Sequence, residues 1–324
     1  MTKMTHGVLV TGAAGFVGSH LLDLLYQHNE SPVAWCRPHG AQPPHNKQLL
    51  TQNNPSIEWK SIDLLNREAV EHAIAELRPD IVYHCAGAPH VGQSWNNVHQ
   101  TLQSNVQGTH NLLKALRKSD VRARILIPGT ALVYQQSQEA MTEEHPVKPL
   151  DPYAVSKLAQ EQVGLCFANE GNGSVIVTRS FNHIGPRQAS VFALSGFARR
   201  IAEIEAGQAK PIIFAGNLSA KRDITDVRDT VRAYYVLMQQ GVTGRIYNVC
   251  SGKTWSIKEL LDLLLEKASV PITVKIKGDR LRPNDAAVLL GNPNRIRNEL
   301  GWKPEISIRN TIHDLLTYWR GVIS

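Results

Sequence analysis

Short β-branched runs alternate with amphipathic stretches of helical length through the first half of the chain, the pattern of a parallel sheet joined by crossover helices. Apolar clusters predict strands at Gly7–Thr11, Val33–Cys36, Ile57–Ser61, Ile81–His84, Ile125–Ile127 and Val175–Arg179. Between them, apolar residues recurring at helical spacing predict helices at Phe16–His28, Arg67–Leu77, Val91–Lys118 and Pro152–Ala168. Beyond Phe181 the alternation loosens: Arg179–Arg187 reads as a polar loop, Phe192–Ala206 as a helix and Ile246–Val249 as a strand. Helix Ile257–Ala268, a short strand around Ile272–Ile276 and helix Ile308–Trp319, which Ser307 is placed to cap, complete the reading. The expectation is an α/β chain: a doubly wound parallel sheet from residues 1–180 and 228–250, and a smaller, discontinuous α/β domain from 181–227 and 251–324. No internal repeat appears, and His39–Lys47 is the most linker-like piece.

Composition narrows the class. With 324 residues, 42% hydrophobic and 19% charged, the chain can bury a substantial core and is not a disordered one. No apolar run approaches the ~18 residues of a membrane span, and the polar Met1–Gly7 leads straight into a strand. We therefore expect a soluble cytoplasmic protein without a membrane segment. The balance of 35 basic to 28 acidic residues, net +7, is scattered rather than clustered, which fits a few arginines aimed at a small anion and not nucleic acid. Cys36, Cys85, Cys166 and Cys250 lie far apart without metal-ligand or disulfide spacing, so neither metal nor bridge is expected, and they read as small buried hydrophobes.

Candidate chemistry starts at Thr11-Gly12-Ala13-Ala14-Gly15-Phe16-Val17-Gly18, which follows the first strand and opens the first helix. Gly12 permits the tight turn, Gly15 the approach of a pyrophosphate and Gly18 close packing of helix on strand, with free N–H groups at the helix start for phosphates. This predicts a dinucleotide site. About twenty residues on, where an NAD-selective site places an acid on the ribose hydroxyl, the chain has Trp35-Cys36-Arg37. A guanidinium there suits a 2′-phosphate, so NADP is preferred, with NAD as the alternative. Farther along, Asp151-Pro152 can cap a helix on which Tyr153 and Lys157 share one face at i and i+4. An ammonium beside a phenol should lower its pKa from ~10, and such a phenol exchanges protons with carbonyl or alcohol oxygens.

The GxxGxxG spacing, Tyr153-x-x-x-Lys157 and the strand end Ile127-Pro128-Gly129-Thr130 together resemble the extended short-chain dehydrogenases/reductases that modify nucleotide sugars. The resemblance implies a Rossmann-type sheet, and a cofactor site made of Gly12, Gly15, Phe16, Val17, Gly18, Arg37, Asp63, Leu64 and Ala86 with Tyr153 and Lys157. Asp63 would contact the adenine edge, and Lys157 would hold the nicotinamide ribose. Thr130 takes the Ser/Thr role beside the reacting oxygen, and Asn105 matches an architectural asparagine. Dehydratases of this branch carry an acid directly after that Ser/Thr, whereas this chain has Ala131 and Leu132.

The later segments Arg179–Gln188, Gly216–Asp229, Tyr247–Gly252, Arg280–Asp285 and Leu289–Pro293 are similar to the GDP-6-deoxy-4-keto-D-mannose reductases. That likeness implies NADPH-dependent reduction of GDP-4-keto-6-deoxy-D-mannose at C4 to GDP-D-rhamnose. Asn182, Arg222 and Arg282 would bind the diphosphate, with Arg187 as a further candidate. The other readings are a 4-epimerase with tightly held NAD, then a GDP-mannose 4,6-dehydratase or a non-catalytic cofactor sensor. Relatives pair through the helices matching Val91–Lys118 and Pro152–Ala168, which implies a homodimer.

Overall fold

The computed structural model describes residues 7–38, 57–277 and 286–323. Its first strands are β1 (Val8–Thr11), β2 (Val33–Cys36), β3 (Glu58–Ser61), β4 (Ile81–His84), β5 (Arg124–Thr130) and β6 (Ser174–Ser180). The last two run beyond their apolar residues, because neighbouring strands pair with the polar ends as well. After β7 (Asn182–Ile184), β8 (Ile212–Ala215) and β9 (Lys221–Asp226), strand β10 (Ile246–Val249) returns to the first sheet. That sheet has seven strands in the order β10-β6-β5-β4-β1-β2-β3, every pair parallel. The order reverses between β1 and β4, and a crevice opens outside their carboxyl ends, where such sheets bind ligands.

Helices cover both faces, so strand residues on either side are apolar. Val10 packs in one core with Leu21, Leu25 and Tyr234, while its neighbour Leu9 packs in the opposite core with Ile74, Leu112 and Val175. A further core holds Phe197, Ile201, Ile213, Leu260, Leu264, Leu315 and Trp319, contributed largely by helices Ala193–Glu205, Ile257–Leu265 and Ile308–Ile323. Beside it, β9 lies between β11 (Thr254–Ser256) and β13 (Val288–Leu289) and also pairs with β7. A separate parallel pair joins β8 to β12 (Thr273–Ile276). No helix among the described residues is long and apolar enough to cross a membrane.

Three expectations are corrected. The stretch from Val91 to Lys118 is not one helix: Val91–Asn96 and Val98–Leu102 are separated at Asn97 (φ −132°, ψ 48°), and a π-helical turn, Gln103–Gln107, precedes Gly108–Lys118. The polar segment Arg179–Arg187 is not wholly loop, because it contains the end of β6 and all of β7. Helices Val227–Gln240 and Asn294–Leu300 and strands β8 and β9 are additional elements. The first of these helices is capped by Asp226, whose carboxylate accepts from Arg228 N at 2.8 Å.

Candidate active site

The glycine turn is built by close backbone contact. Gly12 has φ +64°, and a Cβ there would lie 2.6 Å from Ala86 Cα and N. A Cβ on Gly18 would lie 2.4 Å from Gly12 O, so helix Phe16–Gln27 sits against the strand end as only glycine allows. No side chain caps this helix, and its first residues Phe16, Val17 and Gly18 line the crevice with Gly12 and Gly15. Free N–H groups at an uncapped helix start, above a cradle that any side chain would fill, fit a dinucleotide pyrophosphate. Arg37, Asp63, Leu64 and Ala86 line the same cleft, whose volume is about 1960 Å³. Arg37 is exposed. Asp63 accepts from Leu65 N at 3.0 Å, Leu64 O from Asn111 Nδ2 at 2.8 Å, and Ala86 N donates to Thr11 Oγ1 at 3.3 Å.

Thr130 ends β5, and the chain turns there in a short 3₁₀ segment, Ala131–Val133. Its hydroxyl accepts from Leu132 N at 3.3 Å and acts on the Tyr153 phenol in the sense that favours the ionised form. Asp151 caps helix Pro152–Asn169 by accepting from Ala154 N at 2.8 Å, with Pro152 in the first turn. Tyr153 therefore stands at the mouth of the helix and lines the cleft. Asn105, at the centre of the π turn, ties two walls together: its Oδ1 accepts from Ala88 N at 2.7 Å, and its Nδ2 donates to Ser156 Oγ at 2.8 Å.

The electrostatics differ from the simple expectation of a depressed phenol. Burial pushes Tyr153 up to about 12, with Thr130 acting in the opposite direction. Burial also pushes Lys157 down to about 8, and its Nζ donates to Gln160 Oε1. Desolvation of the phenol outweighs any lowering by a neighbouring ammonium. Gln160 was not marked by the sequence patterns, although a polar residue on the buried side of that helix is a usable signal.

On the opposite wall, Asn182 and Arg222 line the cleft. Arg222 Nη1 donates to Lys221 O at 2.8 Å and to Ala286 O at 2.7 Å. The adjacent Asp223, fully buried, accepts from Ser251 N (2.7 Å), Gly252 N (2.8 Å) and Gly291 N (3.3 Å), tying those three positions to the strand. Neither Arg187 nor Lys157 lines the cleft; Arg187 pairs with Asp23 of helix Phe16–Gln27 from a left-handed backbone position, φ +69°. Arg282 lies outside the described residues. His183, which the motifs left without a role, lines the cleft and stacks on Phe16 at 5.8 Å between centroids. No group of three potential metal ligands occurs among the described residues. All four cysteines are free; Cys250 is buried, Cys36 and Cys85 are half-buried, and Cys166 is exposed. The expectation of four buried thiols is thus corrected, because the helix face carrying Cys166 points outward.

A family model described as GDP-mannose 4,6 dehydratase matches residues 9–315. The chain belongs to this family of extended short-chain dehydrogenases/reductases. It is 34% identical to the GDP-6-deoxy-D-mannose reductase of Pseudomonas aeruginosa, over 98% of each chain. It is 28% identical to a UDP-glucose 4-epimerase of Oryza sativa subsp. japonica, covering 95% of this chain and 80% of that one. Among solved structures, RMD from Pseudomonas aeruginosa complexed with NADPH superposes with a TM-score of 0.84 at 32% identity, covering 98% of this chain and 100% of that one. The UDP-glucose 4-epimerase of Thermus thermophilus in complex with NAD gives 0.85 at 26% identity, covering 97% and 99%. Proteins named for several reactions thus share this fold, and the side chains after Thr130 matter more than the family's name.

Proposed function

We propose that this protein is a reductase that converts GDP-4-keto-6-deoxy-D-mannose to GDP-D-rhamnose, with NADPH as reductant. One observation carries the reading: the cleft wall presents Thr130 and Tyr153, with Thr130 followed by Ala131 and Leu132, where a dehydrating enzyme needs an acid. Neither apolar side chain can remove a proton. When bound, NADPH supplies the hydride; the chain supplies a proton and the geometry. A phenol raised to about 12 stays protonated at neutral pH, which suits a donor to the oxygen that becomes an alkoxide at C4. Thr130 orients that oxygen, and Lys157 supports the phenolate left on Tyr153. Asn182 and Arg222, across the cleft, are assigned to the diphosphate, where a planar guanidinium binds two oxygens at once. Arg37 is assigned to the 2′-phosphate.

The described cysteines are unpaired, which fits a reducing compartment, and we place the enzyme in the cytoplasm. We also assign it a homodimer. What supports this is that Trp95 (59% exposed) and Val155 (46%), on the helical segments where the resemblance implies a seam, line one shallow apolar groove.

The test is the loss of reduced-nicotinamide absorbance on mixing protein, NADPH and freshly generated GDP-4-keto-6-deoxy-D-mannose, with NADH in parallel. Stoichiometric oxidation with formation of a 6-deoxy sugar nucleotide is expected, and Tyr153→Phe should bind NADPH yet not turn over. A protein that retains its nucleotide through purification and acts without added NADPH would be a 4-epimerase instead.

A further inference from the structure

Lys157 is held by a side chain outside the proposed proton-transfer group. Its Nζ donates to Oε1 of Gln160, one turn along the same helix. Gln160 is fully buried and donates through Nε2 to Thr109 Oγ1 at 2.6 Å. Thr109 gives its own hydroxyl proton to Asn105 O at 2.7 Å. Its oxygen therefore acts only as an acceptor elsewhere, and the 2.8 Å contact to His84 Nε2 puts the imidazole proton on that nitrogen. His84 Nδ1 is left to accept from Thr11 Oγ1 at 2.8 Å, and Thr11 Oγ1 in turn accepts from Ala86 N. Burial holds His84 down to about 3, so the neutral imidazole that this arrangement requires is the one present.

This row of donors fixes the glutamine amide in one orientation. Turned over, it would aim N–H groups at the ammonium and a carbonyl at a Thr109 oxygen with no proton left to give. We infer that Gln160 is a positioning residue: its amide oxygen, oriented by Thr109 and His84, keeps Lys157 charged and sets where the ammonium stands relative to Tyr153. The inference rests on the roles given above to Tyr153 and Lys157.

Other ionisable groups near Lys157 do not supply the same hold. Cys85, after β4, is driven up to about 12 by burial and stays a neutral thiol. Glu161, on the same helix, is taken by Arg179 of β6 through contacts of 2.6 and 3.0 Å. The neighbouring Gly108–Lys118 helix presents the uncharged Thr109. With desolvation working against the charge, the amide oxygen is the near-neighbour group that favours it by direct hydrogen bonding.

The experiment compares Q160M, Q160E and Y153F with wild type across pH. In Q160M the alkaline limb of kcat should fall by about one pH unit, the scale of one hydrogen bond to a charged group. The KM for the sugar nucleotide should stay within about twofold. Q160E should restore the limb or move it higher. Independently of turnover, the ¹³Cε resonance of Lys157, identified by its loss in K157M, should titrate lower in Q160M than in wild type. T109V, which frees the amide to turn, should do the same and serves if Q160M does not fold. Superimposable pH profiles and resonances, with Y153F inactive, would overturn the inference while leaving the reductase reading standing. If Y153F turns over normally, the tyrosine assignment fails, and the lysine titration alone decides whether Gln160 sets its charge.

Discussion

In Gly18→Ala, two effects of opposite sign meet at one atom. Helix propensity alone favours alanine by ~1 kcal/mol. The new methyl, however, would lie 2.4 Å from Gly12 O and 2.9 Å from Ala13 Cα, whereas ordinary contact begins at 3.4 Å. The helix start must therefore withdraw by about 3.4 − 2.4 = 1.0 Å, because both obstructing atoms are backbone and no rotamer change relieves them. Overpacking of this kind costs ~1–3 kcal/mol, and we expect a net loss of ~1 kcal/mol, read as a lower urea midpoint at unchanged m-value. The same withdrawal draws the helix N–H groups away from the phosphates. Losing one hydrogen bond to a charged group, ~1.5–3 kcal/mol, corresponds to a rise of roughly 10- to 100-fold in the Kd for NADPH, measured by calorimetry. Gly321→Ala is the matched control: its Cβ would meet nothing within 4 Å, so only the propensity gain remains. A Gly18→Ala protein as stable as wild type, with unchanged affinity for NADPH, would refute the close-contact argument.

Two further outcomes are expected. Arg37→Ala should lower the ratio of kcat/KM for NADPH over NADH at least tenfold while leaving the melting temperature unchanged, since the side chain is exposed at the cleft; an unchanged ratio would remove its assignment. The Glu205 carboxyl is held below its ordinary 4.5 by Arg320, which reaches it with contacts of 2.7 and 2.8 Å. Because the folded value is the lower one, that contribution is complete above pH 4.5 and is lost as pH falls through the folded value. Glu205→Gln should flatten the dependence of urea stability on pH in that acid window, and parallel curves for the two proteins would count against the pairing.

The parts of the fold written in apolar residues were the legible ones. Strands such as β1, with Val8, Leu9 and Val10 all buried, announce themselves because both faces are covered. β9 did not, since Lys221-Arg222-Asp223-Ile224-Thr225-Asp226 reads as loop until Asp223 and Asp226 are seen taking backbone N–H donors. Helix Val227–Gln240 could have been found: Val227, Val231, Tyr234 and Met238 repeat at helical spacing and are buried. At the site, sequence spacing placed Tyr153 and Lys157 on one helix face, but spacing does not say where a long flexible side chain ends. Lys157 turned to Gln160, one turn along its own helix, whereas Arg187 turned to Asp23, a partner across a fold that local sequence does not encode.

A π turn holds one residue more per hydrogen-bonded loop than an α turn, so Gln103–Gln107 has the form of a one-residue insertion accommodated within a helix. Each residue of an α-helix advances its face by about 100°. Deleting one residue here would let the segment close as ordinary helix with Val98–Leu102 and Gly108–Lys118 keeping their faces, because the wider turn is what absorbs the extra residue, so the displacement falls on the bulged residues with Asn105 at their centre. Asn105 would then lose Ala88 or Ser156, the two walls it joins. The segment's length is thus constrained more tightly than its composition. Within a library of random variants, single-residue deletions between Gln103 and Gln107 should be purged, while conservative replacements of its exposed side chains survive.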